Sequence, residues 1–169
     1  MEIPQVLIVM GSDSDITVME EAAKVLGQFG VPWEMRISSA HRCPDRTAAL
    51  SAEAEGRGIR VIIAGAGVAA HLAGVMAAGT ILPVIGVPIG GGALNGVDAL
   101  YSTVQMPGGI PVATVAIGKA GARNAGILAV QMLALSDSTL KGKLRAYKES
   151  MATEVEEKDK ALQEKMGGS

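Results

Sequence analysis

His41, with Ser39 and Arg42 beside it, is the group best equipped for chemistry in this chain of 169 residues. An imidazole titrates near neutral pH and can move a proton in either direction. Arg42 can hold a phosphate bidentately, and Ser39 adds a hydroxyl. A second constellation, Gly11-Ser12-Asp13-Ser14-Asp15, offers Ser12 as a donor and Asp15 as a carboxylate able to orient a histidine or bind sugar hydroxyls. These residue types favour turns and helix N-caps, and free N–H groups at a helix N-terminus bind anions, phosphate above all. A plain cap on the following helix, with Ser14 or Asp15 as N-cap, would use the same residues. His41 has the plainer alternative of a loop histidine without a role. His71, amid Ala69, Ala70, Ala73 and Gly74, could do no more than satisfy a local carbonyl.

Other chemistries fit less well. Gly65-Ala66-Gly67-Val68-Ala69-Ala70 mimics a dinucleotide fingerprint, but the region about 20 residues on is the apolar stretch Ile81 to Val87, with no acidic residue for a ribose. Gly118-Lys119 is followed by Ala120 where a phosphate-binding loop has Ser or Thr. Ala64 stands where a phospho-acceptor domain would end its strand in Asp. One Trp, two Tyr and one Phe leave little to stack on a flavin. Two histidines and Cys43 lack metal-ligand spacing, so no metal is expected.

The elements that must position these residues follow from the pattern of apolar runs. Val6-Leu7-Ile8-Val9-Met10 is unbroken and predicts a strand buried on both faces, with the Gly11–Asp15 turn at its end. A helix with the stripe Val18, Ala22, Leu26 and Phe29 closes at Gly30. Val31, Trp33, Met35 and Ile37 alternate with Pro32, Glu34, Arg36 and Ser38, which predicts a strand with one wet face at or near an edge. Pro44 then opens a helix to about Gly56. A third strand, Val61–Ala64, opens into Gly65-Ala66-Gly67 and a helix of tiny residues carrying His71. Strand four is Val84–Val87, ending at Pro88 and Gly90-Gly91-Gly92, with a helix from about Asn95 to Gln105. A fifth strand, Val112–Ile117, ends in Gly118-Lys119-Ala120-Gly121 before a buried helix at Ile127–Leu133. Beyond Ser136, Leu140, Leu144, Tyr147, Met151, Val155 and Leu162 mark a long amphipathic helix, whose stripe is too long for one small domain to cover.

Alternating strands and helices imply an α/β three-layer sandwich, flavodoxin-like, with a central parallel five-stranded sheet plus a long C-terminal helix. In such sheets ligands bind outside the carboxyl ends of the strands, where the strand order switches. Both histidines lie just after strand ends. Hydrophobic residues make up 49% of the chain, ample for a core, and the net charge of −2 argues against nucleic acid or a membrane surface. The lone Cys43 fits a reducing compartment, and with no leader or membrane-length apolar run the expected location is the cytoplasm.

Several motifs together resemble one family. They are Met10-Gly11-Ser12-Asp13-Ser14-Asp15; Ser39-Ala40-His41-Arg42 with Pro44-Asp45; Ala64-Gly65-Ala66-Gly67 through Ala70-His71-Leu72; and Leu94–Leu100 followed by Val104–Val112. Over roughly residues 5–135 the chain is similar to the N5-carboxyaminoimidazole ribonucleotide mutases of purine biosynthesis, the PurE family. The resemblance implies a cofactor-free isomerisation to 4-carboxy-5-aminoimidazole ribonucleotide, in which a carboxylate moves from the exocyclic nitrogen to the ring carbon C4. It implies His41 as general acid/base, with Ser12, Asp15 and Arg42 holding the ribose 5-phosphate end. Ser39, Ala66, Gly67, His71 and Leu72 would line the base and the trapped CO2. It further implies a small-molecule ribonucleotide substrate and a homo-octamer. Residues 1–136 would be the catalytic domain and 137–169 a helical extension at a subunit interface. Val68 and Ala73 stand where the family usually has Gly and Pro, Cys43 where it usually has Thr, and Gly90-Gly91-Gly92 in place of a more polar loop. A related branch carboxylates aminoimidazole ribonucleotide directly with CO2 and tends to carry Lys at the position of Arg42, so Arg42 points to the mutase. A non-catalytic sugar-phosphate-binding oligomer is the third reading.

Overall fold

β1 (Val6–Met10) is the centre of the sheet, and all five of its side chains are at 0% exposure. The computed structural model describes residues 3–167. The remaining strands are β2 (Trp33–Ile37), β3 (Val61–Gly67), β4 (Val84–Ile89) and β5 (Ala113–Thr114). They lie in the order β2-β1-β3-β4-β5, and every pairing is parallel. The chain runs from β1 outward to β2 and returns to place β3 on the other side, so the order switches between β1 and β3. β2 is the edge strand expected from its alternation. β1 is its single strand neighbour among the described residues, and two residues of its apolar set, Trp33 and Ile37, are 40% and 42% exposed.

Helices cover both faces. On one side are α1 (Ile16–Phe29) and α5 (Gly118–Ala134). They cross so closely that a Cβ on Gly126 would lie 2.9 Å from the Val25 side chain and 3.0 Å from the Ala22 carbonyl oxygen. On the other side, α2 (Pro44–Glu53) and α3 (Leu72–Ala78) join a core that includes Leu7, Val9, Ile62, Ala64, Leu72, Ala73 and Met76, and α4 (Val97–Val104) covers the same face, where Thr103 and Ala73 both lie over Gly86. α2 begins at Pro44, the residue whose fixed φ suits a first helical turn.

Several boundaries differ from expectation, for reasons local pattern does not carry. β3 continues to Gly67 and β4 through Pro88 to Ile89, pairing Ala66 with Pro88 and Gly67 with Ile89. Proline is tolerated because of the side it faces. Val115 N donates to Gly86 O, so Gly86 and residues of the same parity point toward β5. β5 has ended before Pro88, and the donor that proline lacks has no partner to miss. β5 itself is two residues, not the six of Val112–Ile117. Gly118–Gly121 is not a loop either, for it forms the first turn of α5. The turn into α5 is so tight that a Cβ on Gly121 would lie 1.6 Å from Ala116 O. α4 starts at Val97, since Asn95 and Gly96 are left-handed with φ 49° and 93°. His71 precedes α3 at its N-cap position instead of riding within a helix.

An ion-pair network ties α1 to α5. Glu21 accepts from Lys24 Nζ at 2.6 Å and from Arg123 Nη2 at 2.8 Å. These two cations hold its carboxyl down at about 2, from an ordinary 4.5. A lowered carboxyl stabilises the fold fully above its unfolded value and loses that contribution as pH falls through the folded one. Glu21→Gln should therefore be less stable than the parent at pH 7. Denaturant unfolding at a series of pH values should show the gap closing between pH 4.5 and 2.

The chain divides into two compact units, Met1–Met132 and Leu133–Ser169. The second is dominated by α6 (Ser138–Gly167), whose start is capped by Asp137 Oδ1 accepting from Thr139 N at 2.8 Å and Leu140 N at 3.0 Å. Along α6, Leu140 is buried, Leu144, Tyr147 and Met151 are half-exposed, and Val155 and Leu162 are 66% and 54% exposed. Among the described residues no helix is long and apolar enough to cross a membrane.

Candidate active site

A pocket of about 710 Å³ lies over the carboxyl ends of β1, β2, β3 and β4, at the switch in strand order. That volume is in the range of small-molecule sites. Ser12, Asp15, Ser39, His41, Arg42, Ala66, Gly67, His71 and Leu72 all line it. The four strand ends bring together residues that are up to 80 positions apart in sequence, from Gly11 to Gly91.

The β1 end is built by a short 3₁₀ turn, Asp13–Asp15, ahead of α1. The cap of this turn is Ser12. Ser12 Oγ accepts from Ser14 N at 3.3 Å, and Asp15 Oδ2 accepts from Ser12 N at 3.2 Å, a reciprocal capping box. Asp15 does occupy the N-cap position of α1, yet its side chain caps nothing there. Burial pushes its carboxyl above the ordinary carboxylate value, and the Ser12 amide pulls it partly back.

The β2 end is clamped by Cys43, whose Sγ donates to Ser39 O and accepts from Ser39 N, both at 3.2 Å. Beneath it, buried Ser38 and Thr47 share a 2.8 Å hydroxyl bond. The bond from Ser38 leads the influences that lower the Cys43 thiol. His41 therefore sits on a loop fixed at both ends. Arg42 is aimed across to β1, where Nη2 donates to Gly11 O at 3.1 Å, and its Nε donates to Ser39 Oγ at 3.4 Å. The guanidinium thus lies over the turn that carries Ser12.

From the β3 end His71 reaches the same space. His41 Nε2 and His71 Nδ1 are 2.8 Å apart, with the rings edge-to-face at 84° and centroids 4.9 Å apart. One of these nitrogens must carry the proton and the other accept it, so the two rings share a hydrogen bond. The pocket is two-sided in character. Ser12, Asp15, Ser39, His41 and Arg42 make a polar flank suited to a phosphorylated sugar, while Ala66, Val68, Ala69, Leu72 and Ile89 make an apolar one.

Sequence reasoning missed Thr17 and Val18 in the first turn of α1, and Val68, Ala69 and Ile89–Gly91. The β4 contribution was open to discovery, since every parallel strand end in such a sheet is a candidate. Apolar wall residues carry no such signal.

The AIR carboxylase family model matches residues 5–154. The N5-carboxyaminoimidazole ribonucleotide mutase of Pyrococcus horikoshii is 58% identical over 96% of this chain and 91% of its own. That of Thermotoga maritima is 55% identical over 95% and 93%. Among solved structures, Treponema denticola PurE superposes with a TM-score of 0.86 at 31% identity, covering 95% of this chain and 99% of that one.

Proposed function

Since the chain belongs to the AIR carboxylase family, we propose that it is an N5-carboxyaminoimidazole ribonucleotide mutase of purine biosynthesis, an isomerase, with His41 as its general acid/base. The observation that carries the assignment of His41 is its hydrogen bond to His71 inside the pocket that Ser12 and Arg42 also line. His41 protonates the exocyclic nitrogen, and the C–N bond breaks with its electron pair going to nitrogen, which releases CO2. Ring carbon C4 then attacks the CO2, forming a C–C bond, and His41 takes the proton that C4 loses. The proton returns to its starting group, so no net acid or base is consumed. Arg42 and Ser12 hold the phosphate, Asp15 the sugar hydroxyls, and Ser39, Ala66, Gly67, His71 and Leu72 surround the imidazole and the CO2.

The decisive experiment supplies carboxylated and uncarboxylated ribonucleotides separately, each with labelled bicarbonate. A mutase turns over the first without drawing label from solution. Uptake of label as a condition of product formation would make the protein a direct carboxylase instead. Arg42→Ala should weaken ribonucleotide binding about ten- to a hundredfold, since a charge-assisted hydrogen bond contributes about 1.5–3 kcal/mol. Unchanged affinity in a ligand titration would remove Arg42 from the phosphate role.

Residues 1–136 form the ribonucleotide-binding catalytic domain of this reading. The exposed part of the α6 stripe belongs to contacts within a cytoplasmic homo-octamer. Deleting the chain from Lys141 onward should lower the assembly state seen by sedimentation, with sheet content by circular dichroism retained. A fully assembled truncated chain would mark α6 as a solvated appendage.

A further inference from the structure

His41 sits on a clamped loop, whereas His71 goes where α3 goes. It stands at the N-cap position of α3 without making a side-chain cap bond, and its backbone belongs to the first turn, with Val75 N donating to His71 O at 3.0 Å. α3 is only seven residues long, two turns, and so moves as one rigid piece. Much of what holds it is apolar packing, in which Leu72, Ala73 and Met76 are buried and Ala77 and Leu50 of α2 pack against them. Such burial is non-directional and leaves a short helix free to slide along its own axis. A hydrogen bond is directional and fixes that position. Ser51, in the last turn of α2 and 0% exposed, supplies one: its Oγ donates to Met76 O at 2.5 Å. Met76 is four residues, about 6 Å, along α3 from its start.

The fold itself does not call for this hydroxyl. Met76 O already accepts from Gly79 N at 3.1 Å, and an alanine at position 51 would bury no polar group at all. Space has nevertheless been kept for it. A Cβ on Gly79 would lie 2.8 Å from Ser51 Oγ and 3.1 Å from Ser51 Cβ, although the Gly79 φ of −98° is open to any residue. The glycine is thus required by the hydroxyl and not by its own backbone. We infer that Ser51 is a positioning residue for the proton transfer: its bond to Met76 O, given room by Gly79, sets α3 along its axis and so holds His71 at 2.8 Å from His41. This rests on the mutase reading given above, with His41 as its acid/base. A hydrogen bond between two rings weakens steeply with misalignment, so a slip of a fraction of an ångström at α3 is felt there.

The test uses the full chain turning over N5-carboxyaminoimidazole ribonucleotide with labelled bicarbonate present. Ser51→Ala removes the hydroxyl, and Gly79→Ala displaces it from the other side. Each should lower kcat about tenfold, less than the ~100-fold of a full 1 Å misplacement. KM should hold, because the phosphate contacts proposed above lie on Ser12 and Arg42 and not on α3. Ser51→Ala should melt only about 2–4 °C lower, the loss of one neutral hydrogen bond. Both substitutions act through one contact, so the double variant should lose about tenfold in kcat, not about a hundredfold. Both histidines of the chain are in this site, so their ring-proton resonances report on it alone and should shift in each variant. Parent-like kcat in Ser51→Ala, multiplied losses in the double variant, or unmoved ring resonances would each overturn the positioning role and leave the mutase reading standing. A parent product that forms only with label from solution would overturn the mutase reading instead, and the ring resonances would still decide whether Ser51 places His71.

Discussion

Replacement of His41 by Asn should lower kcat by about 100- to 10,000-fold, the contribution of a positioned acid/base. Asparagine keeps the size and can still accept from or donate to His71 across the 2.8 Å bond, so the loop should stay in place. What it cannot do is carry a proton. Affinity for the ribonucleotide should change far less, because the phosphate contacts proposed above lie on Ser12 and Arg42, and Arg42 is held independently by Gly11 O. Two measurements separate the roles, a ligand titration and a pH profile of turnover. The pH dependence that an imidazole imposes should disappear from the residual activity of the variant. Poor binding with normal turnover at saturation would make His41 a binding residue, and His71 the next candidate for the proton.

Gly121→Ala should be the most damaging single methyl group among the glycines. A Cβ there would lie 1.6 Å from Ala116 O and 2.5 Å from Ala116 C. Overpacking usually costs about 1–3 kcal/mol because side chains rearrange, but the obstacle here is backbone, so the cost should reach about 3 kcal/mol or more. For a chain of this size that is a fall in Tm of roughly 6–12 °C. Gly27→Ala supplies the control. It sits in α1 with nothing within 4 Å of the new Cβ, and should be neutral or stabilise by up to about 1 kcal/mol. Equal melting temperatures for the two variants would show that the turn from β5 into α5 has slack.

Much of this architecture is legible in local residue pattern. β1 and β3 announce themselves as unbroken apolar runs, and the alternation of strands and helices is enough for a parallel sheet. Each of the two histidines follows a strand end, and the rule for such sheets directs ligands there. Long-range facts were hidden. Pro88 reads as a strand terminator unless one knows that β5 stops short of it. Val112–Ile117 reads as a strand until Gly121 is seen packed on Ala116 O. The pairing of His41 with His71 joins residues 30 positions apart, and nothing in either local motif predicts that their rings meet.

The position of Trp33 decides how this molecule can be watched. It is the chain's one tryptophan, at the first residue of β2 and paired with Val6 at the sheet's amino end. The site begins at Ser39, six residues and so about 20 Å along the strand. Intrinsic fluorescence will therefore follow the fraying and solvation of the sheet edge and stay nearly silent when a ribonucleotide enters the pocket. Unfolding of Gly121→Ala can be read directly from that signal, whereas titrations of Arg42→Ala need calorimetry or a reporter placed near Thr17 or Val18.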